Sequence, residues 1–177
     1  WGLRNVAFPT VRFRRLPGGG DFAFVPNGSG VLSRDPVATM SPFRGTYPSG
    51  WCSMQLVGYY DAEGGVYFAA HDPVASTKVI GMRPAEGGLG AEFCWAAPDA
   101  GVPGAGFEHP GDCVLQLYDG DWFDAAGLYK AWARAEAGWW PTGEQESRPD
   151  TPQWMKEVCI WALSSGGPEP VVQPCID

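Results

Sequence analysis

Glycine and proline break the first 118 residues into pieces too short for long helices. The chain of 177 residues carries 25 glycines and 17 prolines, and the apolar runs between them are strand-sized and alternate in character. The clearest pair is "CSMQLVGYY" and "VYFAAHD", joined by "DAEGG". Two aromatic-rich runs around a five-residue turn whose glycines tolerate positive φ predict a hairpin over 54–71. "TVRFRRL" sets Val11 and Phe13 against Arg12 and Arg14, so one side is apolar and the other reads as a solvated strand face. "AEFCWAA" and "DCVLQLYDG" add two more strands. Residues 1–118 are therefore expected to form an antiparallel β-sandwich within a mainly β chain.

The pattern changes at "DGDWFDAAGLYKAWARAEAGWW" (119–140). Asp121 is placed to cap a helix over about 122–137, Asp124 lies near its positive end, and Gly138 is expected to close it in a left-handed cap. Trp122, Ala125, Leu128, Tyr129 and Trp132 recur at three- and four-residue spacing and predict one buried face, although the tryptophans also suit sugar stacking. Residues 141–153 have linker composition. The continuous run Val158–Leu163 then reads as a strand buried on both faces, the kind found in parallel sheets. The predicted organisation is a sandwich (1–118), a linking helix and linker (119–153), and the start of a further domain (154–177) that breaks off early.

A net charge of -8 opposes binding to a phosphate backbone, so nucleic acid is not expected as a partner. No apolar run is long enough to span a bilayer. The chain opens on Trp1 rather than Met, so the natural N-terminus is expected elsewhere, and secretion and cytoplasmic residence both stay open. The five cysteines are scattered without C-x-x-C spacing and read as buried free thiols. His71 and His109 lie too far apart for a compact zinc site, and "DGDWFD" fails as an EF-hand loop because Asp124 and Lys130 stand where Gly and Glu belong. Neither a metal nor a cofactor is expected.

The best polar cluster is His71 and Asp72 at a strand end, with Lys78 close by. It can offer hydrogen bonds to sugar hydroxyls, or form an Asp-Pro turn closed by backbone groups. Trp51, Tyr59 and Tyr60 are candidates for stacking on sugar rings. Adjacent tyrosines in a strand point to opposite faces, so only one of that pair can face solvent on a one-sided sheet.

"YPSGWCSMQLVGYYDAEGGVYFAAHDP", "GDWFDAAGLYKAWARAEAGWW" and "KEVCIWALSS" together resemble the N-terminal region of large bacterial glycoside-hydrolase-like proteins related to the α-galactosidase type. The resemblance runs over about residues 1–165. It implies a β-supersandwich, a linking helix and the first strand of a (β/α)8 barrel whose catalytic carboxylates lie on later strands. On that reading the chain has no catalytic residues and is inactive alone. It supports the barrel by intramolecular contact, carbohydrate binds through the missing barrel, and Trp161 on the first barrel strand can face substrate. The alternatives are a self-contained carbohydrate-binding β-sandwich and a purely structural domain.

Overall fold

The computed structural model describes residues 2–49, 51–142 and 148–158. The chain divides into two compact units, residues 1–140 and 141–177.

The first unit is built on two antiparallel sheets. One holds β1 (Asn5–Arg14), β8 (Gly88–Ala96), β7 (Lys78–Ala85) and β4 (Phe43–Tyr47), in that spatial order. The other holds β3 (Val31–Arg34), β2 (Phe22–Val25), β5 (Leu56–Asp61), β6 (Gly64–His71) and β9 (Asp112–Tyr118). A single helical turn, α1 (Pro36–Thr39), links β3 to β4. The two runs expected to be strands around 91–97 and 112–120 are indeed strands, but they belong to different sheets.

Alternation decides what each strand contributes. In β5, Val57 and Tyr59 point inward and join Phe68 and Ala70 of β6. They pack against Ile80 and Met82 of β7 and Leu89, Phe93 and Trp95 of β8. Val11 and Phe13 of β1 lie partly buried against this core, as their alternation with the arginines predicts.

The five-stranded sheet is apolar on its other face too. Phe24, Leu56, Tyr67 and Ala69 turn away from the sandwich core and meet a long helix, α2 (Trp122–Glu136), through Ala125, Tyr129, Trp132 and Ala133. The aromatic helix is thus a third layer on the outside of the sandwich. That layer corrects the expectation for the two tyrosines: Tyr59 and Tyr60 are both buried, because the sheet that carries them is covered on both sides.

The hairpin forms, with a shorter turn than expected. Asp61 pairs with Gly64, leaving only Ala62 and Glu63 between the strands. The Asp61 carboxylate accepts from the Glu63 N–H at 2.9 Å, so the side chain closes the turn. Gly64 takes the positive φ, 138°. A Cβ there would stand 2.7 Å from the Tyr118 carbonyl oxygen, which confines the position to glycine.

The start of α2 follows the sequence reading. Asp121 Oδ1 accepts from the Phe123 N–H at 2.7 Å, and Asp124 Oδ2 accepts from the Asp121 N–H at 3.0 Å, a reciprocal capping box. Two other expectations fail. Gly138 does not adopt a left-handed cap: Ala137 is already extended (φ -76°, ψ 118°), and the Gly138 N–H donates to the Pro73 carbonyl at 2.9 Å. The helix end is held by the loop after β6 instead of by a local motif. Trp122 is 42% exposed: its indole meets the rings of Phe24 at 6.4 Å and Phe123 at 5.9 Å between centres, and its other side borders an open groove.

In the second unit the described residues form a short helix, α3 (Gln153–Glu157), preceded by an Arg148–Asp150 ion pair at 2.7 Å. Val158 is exposed and outside any strand. The rest of the expected buried strand, Trp161 included, lies outside the described residues.

Candidate functional site

The end of β6 brings His71 and Asp72 to the seam between the sandwich and α2, where they face in different directions. Asp72 has no exposed surface. Its Oδ1 accepts from the Val74 N–H at 3.0 Å, and its Oδ2 accepts from the Ser76 N–H at 2.6 Å and from Lys78 Nζ at 2.9 Å. Lys78, equally buried, also donates to the Ser76 carbonyl at 2.7 Å and to Gln55 Oε1. Its ammonium lies 4.6 Å from the centre of the Trp95 ring and 4.8 Å from that of Tyr47. Burial pushes the Lys78 ammonium below its ordinary value, and Asp72 opposes that shift. With all three donors of the ammonium satisfied, this is a closed ion pair that fixes the 72–78 loop.

His71 points the other way. Its ring lies flat on Trp132, with centres 4.4 Å apart and planes 12° from parallel, and its Nε2 is 2.8 Å from the Tyr67 hydroxyl. Burial lowers its pKa, against the carboxylates of Glu136 and Asp112. A neutral imidazole stacked on an indole is a fastening for the helix. The Asp72 carbonyl accepts from Gln55 Nε2 at 3.1 Å and from the Trp139 indole N–H at 3.4 Å, so one loop residue ties β5 and the end of α2 together.

Trp51 is 72% exposed. Its backbone holds a turn, with the carbonyl accepting from the Gly28 N–H at 3.1 Å and the N–H donating to Ser49 Oγ at 3.1 Å. The indole is free to take a flat ligand.

The arrangement that looks most like a ligand site lies at the start of α2. An open groove of about 550 Å³ is lined by Phe22, Tyr60, Asp61, Asp121, Trp122 and Asp124 among others. Phe22 and Tyr60 stack at 5.5 Å with planes 19° apart, and the half-exposed Trp122 forms the rim. The Tyr60 hydroxyl is pushed up by burial, while a hydrogen bond with the Trp122 backbone pulls it down. Each of the three aspartates gives one carboxylate oxygen to a backbone N–H of the turn or cap. Aromatic faces beside carboxylate acceptors suit the C–H faces and hydroxyls of a sugar. Sequence reasoning placed Trp122 on the buried stripe. The available signal was its position in the first helical turn.

Among the described residues, no group of three or more His, Cys, Asp or Glu side chains gathers as metal ligands, and no helix is long and apolar enough to cross a membrane. Cys52 is buried, and Cys94 and Cys113 are half-buried; all three are free thiols. Burial pushes the Cys113 thiol up to about 11, which leaves it protonated and unreactive beside His109 Nε2 at 3.3 Å.

Residues 107–177 match a family model described as "Domain of unknown function (DUF6259)". Over 171 residues, 93% of the chain, the sequence is 32% identical to "Putative glycoside hydrolase 22789" of Monosiga brevicollis. The chain spans 13% of the length of that relative. No solved structure matches the chain. The sequence is thus related to a protein named as a glycoside hydrolase, and the relation reaches across both sheets and α2.

Proposed function

We propose that this chain is a non-catalytic, N-terminal portion of a glycoside hydrolase. The sandwich and its helix form a rigid base for a catalytic (β/α)8 barrel that begins near residue 154 and carries the reacting carboxylates. The observation that carries this reading is the mismatch in coverage: nearly the whole chain is similar to a small share of a much longer relative. The uses of the acids agree with it. Asp72 is locked on Lys78, buried Asp21 accepts from the Tyr59 hydroxyl at 2.5 Å, and Asp121 and Asp124 cap a helix. Glycoside hydrolysis needs two carboxyl groups facing one substrate bond, roughly 5 to 10 Å apart.

The test compares the 177-residue polypeptide with the product of its complete gene on a panel of aryl α- and β-glycosides. Turnover by the complete product alone is expected. Sugar release by the 177-residue chain, abolished by an Asp→Asn change within it, would overturn the assignment.

A second reading, a carbohydrate-binding sandwich, is favoured by one observation, the Phe22–Tyr60–Trp122 groove with its aspartates. It is compatible with the first, since a sugar held there would lie on the same base. Trp51 adds a separate exposed platform.

A further inference from the structure

The outer face of the four-stranded sheet is a second groove, and its chemistry differs from that of the first. Strand register sets out two rows across it. Arg12 of β1, Gly90 of β8 and Arg83 of β7 stand side by side. In the next row are Thr10, Glu92, Gly81 and Arg44, one from each strand. Neighbouring strands lie about 4.8 Å apart, so Arg12 and Arg83 flank Gly90 with about 10 Å between their backbones. The groove holds about 340 Å³.

Glycine makes the floor low where the arginines make walls. A Cβ at Gly81 would meet the Glu92 side chain at 3.1 Å, and a Cβ at Gly90 would meet nothing closer than Arg83 Nε at 3.9 Å. Glu92 can therefore lie flat across the floor, where Arg44 Nη1 holds its Oε1 at 2.5 Å. Arg12 and Arg83 are exposed and have no carboxylate partner among the described residues. A chain of net charge -8 thus gathers unneutralised guanidinium groups on one sheet face, which focuses a local positive potential.

Glu92 decides which anion fits. A carboxylate in the middle of the floor repels a dense polyanion, but its second oxygen is an acceptor for a hydroxyl. A sugar acid supplies both halves of that pattern. Its carboxylate suits the planar fork of Arg12 or Arg83, a ring hydroxyl donates to Glu92, and Pro42 offers an apolar edge to the ring. We propose that the outer face of the four-stranded sheet, centred on Arg12, Arg83 and Glu92, binds a uronate-bearing sugar chain. That the anion is a sugar rests on the glycoside-hydrolase relation; that the face takes a carboxylate does not.

The test is calorimetric titration of the 177-residue chain with hexagalacturonate, with the neutral galactose hexamer and with hexaglutamate as comparison ligands. Hexagalacturonate should bind tightest. R12A/R83A should weaken it by about tenfold or more, the loss of charge-assisted hydrogen bonds, with an unchanged thermal midpoint showing that the sheet is intact. Glu92→Gln should weaken it less, and Trp122→Ala should leave it unchanged. The proposal is overturned by absence of hexagalacturonate binding, by equal affinity in R12A/R83A, by a loss confined to Trp122→Ala, or by tighter binding of hexaglutamate or the neutral hexamer. Failure here alongside glycoside turnover by the complete gene product would remove the uronate site and leave the glycoside-hydrolase reading standing.

Discussion

The two sheets of the sandwich present outer faces of opposite kind. On the five-stranded sheet the outward positions carry Phe24, Leu56, Tyr67 and Ala69, and α2 covers them. On the four-stranded sheet the corresponding positions carry Arg12, Arg83, Arg44 and Glu92 over Gly81 and Gly90, and these residues line an open groove. Both faces follow from the same period-two alternation, so the difference lies entirely in which residues occupy the outward half. An apolar outward half makes the sheet an inner layer and requires a helix. A charged outward half stops the stack and leaves a surface that can select a ligand.

The sharpest way to break this contrast is at the seam beneath the covered face. Asp72→Ala leaves the buried Lys78 ammonium without a counter-charge, held only by the Gln55 and Ser76 oxygens, and removes the acceptor for two loop N–H groups. Denaturant unfolding should register a loss of about 4–5 kcal/mol; a loss below about 1 kcal/mol would mean that the pair is solvated.

Trp132→Ala removes the indole that joins α2 to His71 and the sheet. A cost of about 3–4 kcal/mol is expected, at the lower end for a buried tryptophan because Trp132 retains 8% exposure. A midpoint equal to that of the wild type would show the helix to be a loose appendage.

The His71 contact adds a pH dependence of known sign. Its pKa is lowered in the folded chain from the ordinary value of 6.5, so folding favours the neutral ring. The stability that this contributes is complete above about pH 6.5 and is lost as pH falls toward the folded value. His71→Gln should flatten that slope in unfolding measured from pH 7.5 to 5, whereas an unchanged slope would assign it to other groups. The smallest effect belongs to the exposed side of α2, where Lys130→Ala should shift stability by less than about 0.5 kcal/mol.

Much of this arrangement was legible in the sequence. The β5–β6 hairpin, the inward Val11 and Phe13, and the Asp121 cap all depend on neighbours within a few residues. Other features depend on long-range partners, and there local reasoning fell short. Gly138 forms no left-handed cap because Ala137 before it is extended and Pro73, far away in the chain, takes the Gly138 N–H. Tyr60 is buried because the five-stranded sheet has a second cover. Trp122 is exposed because an open groove separates the first turn of α2 from Phe22 and Leu32. The arginines of β1 look like an ordinary solvated strand edge until the register sets Arg83 and Arg44 on the same face around a glycine floor. Asp72 and Lys78 are close in sequence, but only the fold determines that they face inward.

Amide hydrogen exchange on the wild-type chain tests the three-layer arrangement most directly. If α2 is an integral layer, the amides of Tyr129–Ala133 should exchange with the same opening free energy and denaturant dependence as those of Val57–Tyr59 and Tyr67–Ala69, since each would open only when the whole unit unfolds. Helix amides that open well before those strands, with a small denaturant dependence of their own, would contradict it and return the aromatic face of α2 to solvent.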